Sequence, residues 1–295
     1  MKLSQLTPSV KNMLKEDELL ELSAIDAFII NSLARREMTI SQSAGMSVTH
    51  LGDFTKYEGR VDFKSTDLML NGLTNVTSLE GLPASIGSLE INGCGIRNFD
   101  DLAIKTINFL RASRCDALEN ISLHNIKIDY TVGITSCKNL KTLEFGNDCD
   151  IDGLDLYLRE CNNLKSLITP NGVQLDTIKL THCDNLLQNI ENLDTMSNEL
   201  IIESPGVKID FSKMTNAKCV IFVISNSIFY TSGLSQFIKM IDNGLKTVRC
   251  QGTMHVDVEK AFKIIQEIID SDGNTRVKMM KFTQRMTEEG LEKLL

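Results

Sequence analysis

The chain has no tryptophan, only four prolines and four tyrosines in 295 residues, and 5% aromatic content. Hydrophobic residues still reach 42%, so a core must be filled by aliphatic side chains and a narrow one suits them best. Cationic side chains are outnumbered, 31 against 39 carboxylates, for a net charge of −8. That balance argues against a generic binder of nucleic-acid backbones, for which a basic footprint is expected. It argues equally against an anionic membrane surface. No apolar run reaches the roughly 18 residues of a membrane span, and Met1–Pro8 lacks the apolar centre of a secretory signal. The four histidines, His50, His124, His182 and His255, are scattered, with no HExxH or CxxC spacing for zinc. A phosphate-cradling glycine loop is also missing. The chain is expected to need no metal or cofactor.

What is present is a spacing. There are eight cysteines, and five of them, Cys94, Cys115, Cys137, Cys161 and Cys183, stand 21, 22, 24 and 22 residues apart. Each follows an apolar pair at the fifth and third positions before it: Leu89 and Ile91, Leu110 and Ala112, Val132 and Ile134, Leu156 and Leu158, Ile178 and Leu180. Leu118, Leu140, Leu164 and Leu186 follow at the third position after, and Ile96 at the second in the first copy. The frame continues with Leu68 and Leu70 before Leu73, Leu200 and Ile202 before Pro205, Phe222 and Ile224 before Ser227, and Val248 and Cys250 before Thr253. That makes about nine coils of 21–26 residues between residues 62 and 255. Self-similarity at such a period signals a solenoid, in which each coil buries its apolar face only against its neighbours.

Within each pair the apolar residues alternate with polar ones, the period of a strand. A second apolar pair follows some eleven residues later: Ile121 and Leu123, Leu143 and Phe145, Leu167 and Thr169, with Ile190 as a weaker member. Turn residues collect at the corners, as in Asn92-Gly93 and Pro170-Asn171-Gly172. One cysteine per coil fits a ladder of buried thiols better than pairwise disulfides, because free cysteine packs like a small hydrophobe. Reduced thiols imply an intracellular, cytoplasmic protein, in which the sequons at Asn75 and Asn120 are chance matches.

Ile86-Gly-Ser-Leu89-Glu-Ile91-Asn-Gly-Cys94-Gly-Ile96 resembles the LxxLxLxxC/NxL segment of the leucine-rich repeat family at every position. Cys161-Asn-Asn-Leu164-Lys-Ser-Leu167-Ile-Thr169-Pro170-Asn-Gly-Val173 is similar to the BspA-like subclass, and Val76-Thr-Ser-Leu79-Glu-Gly-Leu82-Pro83 to its degenerate repeats. The resemblance covers two thirds of the chain. It implies an α/β solenoid, a right-handed coil with parallel sheets, and it says little about the partner.

Three parts are expected: a helical N-terminal cap and linker over 1–60, the solenoid over 61–255, and a helical C-terminal cap over 256–295. Helical periodicity runs from Ser9 to Met38 and again from Val256 to Ile269, while Val277–Met279 could add a tenth strand and Thr287–Leu295 a closing helix. Residues 39 to 60 are polar and irregular, a linker or a degenerate first coil.

Solenoids of this kind bind macromolecules more often than they catalyse. His182 beside Cys183 is no nucleophile–base pair, since neighbours on a strand point apart. Asp148, Asp150, Asp152 and Asp155 alternate as calcium ligands might, but without the glycine and terminal glutamate of an EF-hand loop they read as an acidic corner. Outward strand residues stack into rows about 4.8 Å apart. One row carries Arg111, Tyr157, Lys179, Ile201, Val223 and Arg249, and the adjacent row Arg159 and Glu203. Positive charge around a tyrosine, with apolar Ile201 and Val223 beside it, is the composition of a binding hot spot. The expectation is a non-enzymatic adaptor, inhibitor or effector that binds a protein partner on that face, in its sharper form a partner with an acidic patch. The rival readings are a structural or adhesin-type component, and an enzyme working at the termini through His255 or Asp257.

Overall fold

The computed structural model describes residues 37–41, 49–58, 62–225 and 230–295. The helices read into Ser9–Arg36 and the corner at Ser227 lie outside these residues. The apolar pairs become strands of one ten-stranded sheet: β1 (Glu37–Ser41), β2 (Asp67–Asn71), β3 (Ser85–Asn92), β4 (Thr106–Ser113), β6 (Lys127–Thr135), β8 (Asp155–Arg159), β10 (Leu175–Thr181), β12 (Met196–Glu203), β14 (Lys218–Ser225) and β16 (Thr247–Gln251). Each strand is parallel to the next, in that order. Between them in the chain lie β5 (Asn120–Leu123), β7 (Thr142–Phe145), β9 (Ser166–Ile168) and β11 (Leu193–Asp194), which form a second parallel sheet. A third parallel pair joins β13 (Lys208–Asp210) to β15 (Tyr230–Ser232). Among the described residues the helices are few: α1 (Asp184–Gln188), α2 (Ser235–Met240), α3 (Val256–Asp270) and α4 (Thr275–Glu288).

Between the two larger sheets runs a continuous apolar core. The paired residues before each cysteine, from Leu89 and Ile91 to Ile178 and Leu180, are buried, as are Leu118, Leu140, Leu164 and Leu186. Each such aliphatic side chain removed from water contributes about 2 kcal/mol, so a coil is held mainly by its three or four apolar positions. All five cysteines of the repeat are buried and free. Their thiols meet main-chain carbonyls of the preceding coil: Cys94 Sγ lies 3.4 Å from Leu70 O, Cys115 Sγ 3.6 Å from Ile91 O, and Cys183 Sγ 3.6 Å from Leu158 O. Cysteine thus fills the corner as a small apolar group that also carries a weak donor. Burial pushes the Cys94 and Cys161 thiols up to about 11 and the Cys219 and Cys250 thiols to about 12.

The residue before each cysteine turns the chain out of the strand with a left-handed backbone. It is glycine at Gly93 (φ 61°), and at Gly72 (φ 68°) before Leu73 in the equivalent slot, but Arg114, Ser136, Glu160 and His182 adopt φ of 52–56° at the other corners. In return its N–H donates to the next coil, as from Gly93 to Ser113 O at 2.8 Å and from Glu160 to Thr181 O at 2.8 Å. The main-chain ladder therefore continues one residue beyond the strand.

Several expectations change. β1 places Glu37–Ser41 at the edge of the main sheet, so the sheet begins inside the segment read as cap and linker. The fourth inward member of the second sheet is Leu193, paired with Leu167, while Ile190 is buried in a short 3-10 turn. Val277–Met279 is no strand but the first turns of α4. Asn274 Oδ1 accepts the Val277 N–H at 3.1 Å, and buried Lys278, Phe282 and Met286 recur every fourth residue, which is a helical period. α4 runs to Glu288, and the chain closes with a 3-10 turn at Glu292–Leu294 instead of a separate helix.

The C-terminal region packs differently. Phe211, Phe222, Phe237 and Phe262, from β14, α2, α3 and a 3-10 turn, form one cluster with ring centroids 4.7–6.2 Å apart. Gln266 of α3 accepts the Val248 N–H at 2.7 Å and ties the helix to β16. No helix among the described residues is long and apolar enough to cross a membrane.

Candidate functional site

Strand register brings the predicted rows together. Arg111, Gly133, Tyr157, Lys179, Ile201, Val223 and Arg249 occupy consecutive rungs, and Arg159 and Glu203 belong to the adjacent row. Their surroundings differ from the expectation. Val223 is completely buried, so it offers no exposed apolar area, and Ile201 is half-buried. The correction has a plain source: alternation assigns a side of the sheet but not whether that side is covered. Arg249 is exposed on the last strand, far along the row from Arg111.

The positive stripe is also largely answered. Arg159 Nε lies 3.1 Å from Glu160, and Lys179 Nζ 3.4 Å from Glu203. Across the outward rows, Arg111, Arg159, Lys179 and Arg249 stand among Asp67, Glu90, Asp155, Glu199 and Glu203. The face is mixed in charge, and nothing in it selects an acidic partner alone.

One stretch of this face concentrates large exposed side chains. In β6 the alternation breaks, so Asp129 and Tyr130 are both exposed between buried Ile128 and Val132. The register shifts against β4 at the same place, between Ile107 and Phe109. This irregularity turns Tyr130 outward, where its ring stacks on Phe109 at 5.3 Å. The Arg111 guanidinium sits 5.4 Å from the same Phe109 ring, a cation–π distance. Two strands along from Arg111 stands Tyr157, 39% exposed, its hydroxyl donating to Asp155 Oδ2 at 3.3 Å. Burial first, then the carboxylates of Asp155, Asp176 and Glu199, push the Tyr157 phenol above its usual range.

Between Arg111 and Tyr157 the row has no side chain, because its rung is Gly133. Phe109, Tyr130 and Gly133 were not among the expected site residues. Phe109 was legible in principle, since it lies one outward position before Arg111; Tyr130 was not, because strict alternation turns it inward.

The opposite sheet exposes Ser122, Glu144 and Ile168 in register, with Ile168 37% exposed. There Ser122 Oγ lies 3.0 Å from His124 Nε2, and His124 Nδ1 lies 3.4 Å from Asp148. The order matches nucleophile, base and orienter, beside a cavity of about 270 Å³ that Phe99 and Leu102 help to line. The His124 and Asp148 side chains are 58% and 52% exposed, a setting in which preorganised charge stabilisation is weakest. The four aspartates of the acidic corner do not converge: Asp148 faces His124, Asp150 pairs with Lys127 at 3.1 Å, Asp152 accepts from the Gln174 main chain, and Asp155 accepts from Tyr157. His255 and Asp257 border a cavity of about 350 Å³. His255 Nδ1 accepts the Asp257 N–H and so caps α3, and Asp257 pairs with Lys293 at 2.7 Å. No protein-family model matches the chain, and no curated protein or solved structure matches it either.

Proposed function

We propose that the chain is a leucine-rich-repeat-type solenoid that binds a protein partner on the outward face of its ten-stranded sheet and performs no chemistry of its own. In this reading α3 and α4 cover the last coil, which would otherwise expose an apolar end. The observation that carries the reading is the patch of Phe109, Tyr130, Arg111 and Tyr157, in which residue types typical of binding hot spots stand together on a rigid sheet. Strand pairing holds the backbones of Phe109, Arg111 and Tyr157, and Tyr130 is braced by its stack on Phe109, so less freedom is lost on binding. The expected acidic partner loses its support on this face, because Arg159 and Lys179 already have carboxylate neighbours and Arg111 lies against Phe109.

The test is affinity capture from cell lysate with mass spectrometry, run with the wild type and with Arg111→Glu, Tyr130→Ala, Tyr157→Ala combined. A protein captured by the wild type and lost in the variant, at unchanged melting temperature, supports the reading. Equal capture by both removes the site from this face.

A further inference from the structure

We infer that the gap at Gly133 is a socket for an aromatic side chain of the protein partner, carried in an extended segment with lysine or arginine beside it. The inference rests on the binding reading above and adds the chemistry of what is bound. Three observations carry it.

The first is that the fold has no use for a glycine here. A Cβ built on Gly133 would meet only Arg111 Cγ, at 3.7 Å, an ordinary contact, and the backbone is not left-handed. By contrast, Gly87 and Gly95 would drive a Cβ within 3.0 Å of main-chain oxygens. Glycine inside a strand weakens it and commonly marks a close approach by a ligand or another backbone. Gly133 fits the second half of that rule, since no crowding requires it.

The second is what borders the gap. Rungs repeat about every 4.8 Å, so the side chains flanking an empty rung are about 9.6 Å apart, room for one planar group stacked between them. One flank is the Arg111 side chain, whose Cγ approaches the rung while its guanidinium lies 5.4 Å from the Phe109 ring, and the other is the exposed ring of Tyr157. Both favour the face of an aromatic ring, the cation through the ring quadrupole and the phenol by stacking. A partner ring would supply the missing rung.

The third is charge. Asp155 borders the socket, and one of its carboxylate oxygens is buried without a hydrogen-bond partner. Glu199 lies further along the same outward row. A cation next to the inserted ring complements this edge, whereas a carboxylate there would be repelled.

Because the chain holds no tryptophan, a tryptophan-containing peptide can be watched by its own emission. The probes are capped heptapeptides with Lys-Trp-Lys or Glu-Trp-Glu at the centre, titrated against the wild type, Gly133→Val and Tyr157→Ala. Valine suits a strand and has room at this site, and an unchanged melting temperature confirms that the variant folds. The expected result is a saturable blue shift for Lys-Trp-Lys, weakened about tenfold or more by either substitution, the scale of one lost stacking contact. The Glu-Trp-Glu peptide should bind about tenfold more weakly than Lys-Trp-Lys to the wild type. Undiminished binding by Gly133→Val, equal binding of the two peptides, or no saturation at millimolar peptide would each overturn the socket. The binding face itself is decided separately by the lysate capture, so the socket can fail while the face stands.

Discussion

The coils from Cys94 to Cys183 and the region from Phe211 to Leu295 bury their apolar side chains by different means. In the first, each coil repeats one arrangement: an aliphatic pair, a left-handed corner and a buried thiol over the previous coil. Apart from Phe99 and Phe145, the buried apolar side chains there are aliphatic or thiol. In the second, the thiol corner disappears, and a cluster of four phenylalanines joins β14, two helices and a turn. The first region is stabilised by many equal contributions, the second by a few large ones. Repetition spreads the cost of a substitution by coil, and a cluster concentrates it in single rings.

The largest expected effect tests the thiol row. Cys137 is fully buried, so Cys137→Asp should lose about 4 kcal/mol or more, the scale of an unpaired buried charge, in denaturant unfolding. A variant that unfolds at the wild-type midpoint would refute the inward placement of the row. In the other region, Phe222→Ala removes a ring that packs on Phe211, Phe237 and Phe262. Its expected cost is about 3–5 kcal/mol. Cys137→Ala should cost less than half as much, and equal costs would erase the contrast between the regions.

A pH series sharpens the comparison. Thiols whose folded pKa is raised keep their proton in the folded chain and lose it when unfolded, so their stability is complete below about 9 and declines as pH rises. For Cys161 the decline should end near 11, and for Cys219, in the second region, near 12. Each contributes a slope of about 1.4 kcal/mol per pH unit. Replacing either by alanine should flatten the alkaline slope; an unchanged slope would mean that the thiol is not the titrating group. The smallest effect concerns the corners. Arg114→Gly should raise stability by about 0.5–1 kcal/mol by relieving a left-handed arginine, partly offset by the freer unfolded chain. Gly93→Ala should do the reverse, and matching signs would dismiss backbone strain as the cause.

The same contrast governs what the sequence made legible. Nine of the ten strands announce themselves because a two-residue alternation recurs at a steady spacing, beside a cysteine in five of them. Chain order then dictates register, as with Glu90, Arg111 and Gly133. β1 does not announce itself, because its five residues fall where helical periodicity meets a polar stretch. Val277–Met279 misled because three alternating residues fit a strand and the start of a helix equally. Deciding between them needed Phe282 and Met286 a turn and two turns away. Ile190 and Leu193 are both buried, and only pairing tells them apart. At the candidate site, Arg111 and Tyr157 followed from periodicity. Tyr130 depends on a local break in it, and the burial of Val223 on long-range packing, neither of which a repeat encodes. Gly133 was visible throughout as a missing side chain, but its meaning required the space around it.

The sequential order of the large sheet also has a mechanical consequence. Each inner strand of this sheet bonds to the sheet's own preceding and following strands, taken in chain order. Tension applied at the C-terminal end would therefore peel strands singly, like a zipper, once the phenylalanine cluster gives way. Each step would release one repeat of 21–26 residues, about 70–90 Å of extended chain. A force–extension trace would show a tall first peak followed by an even train of low ones.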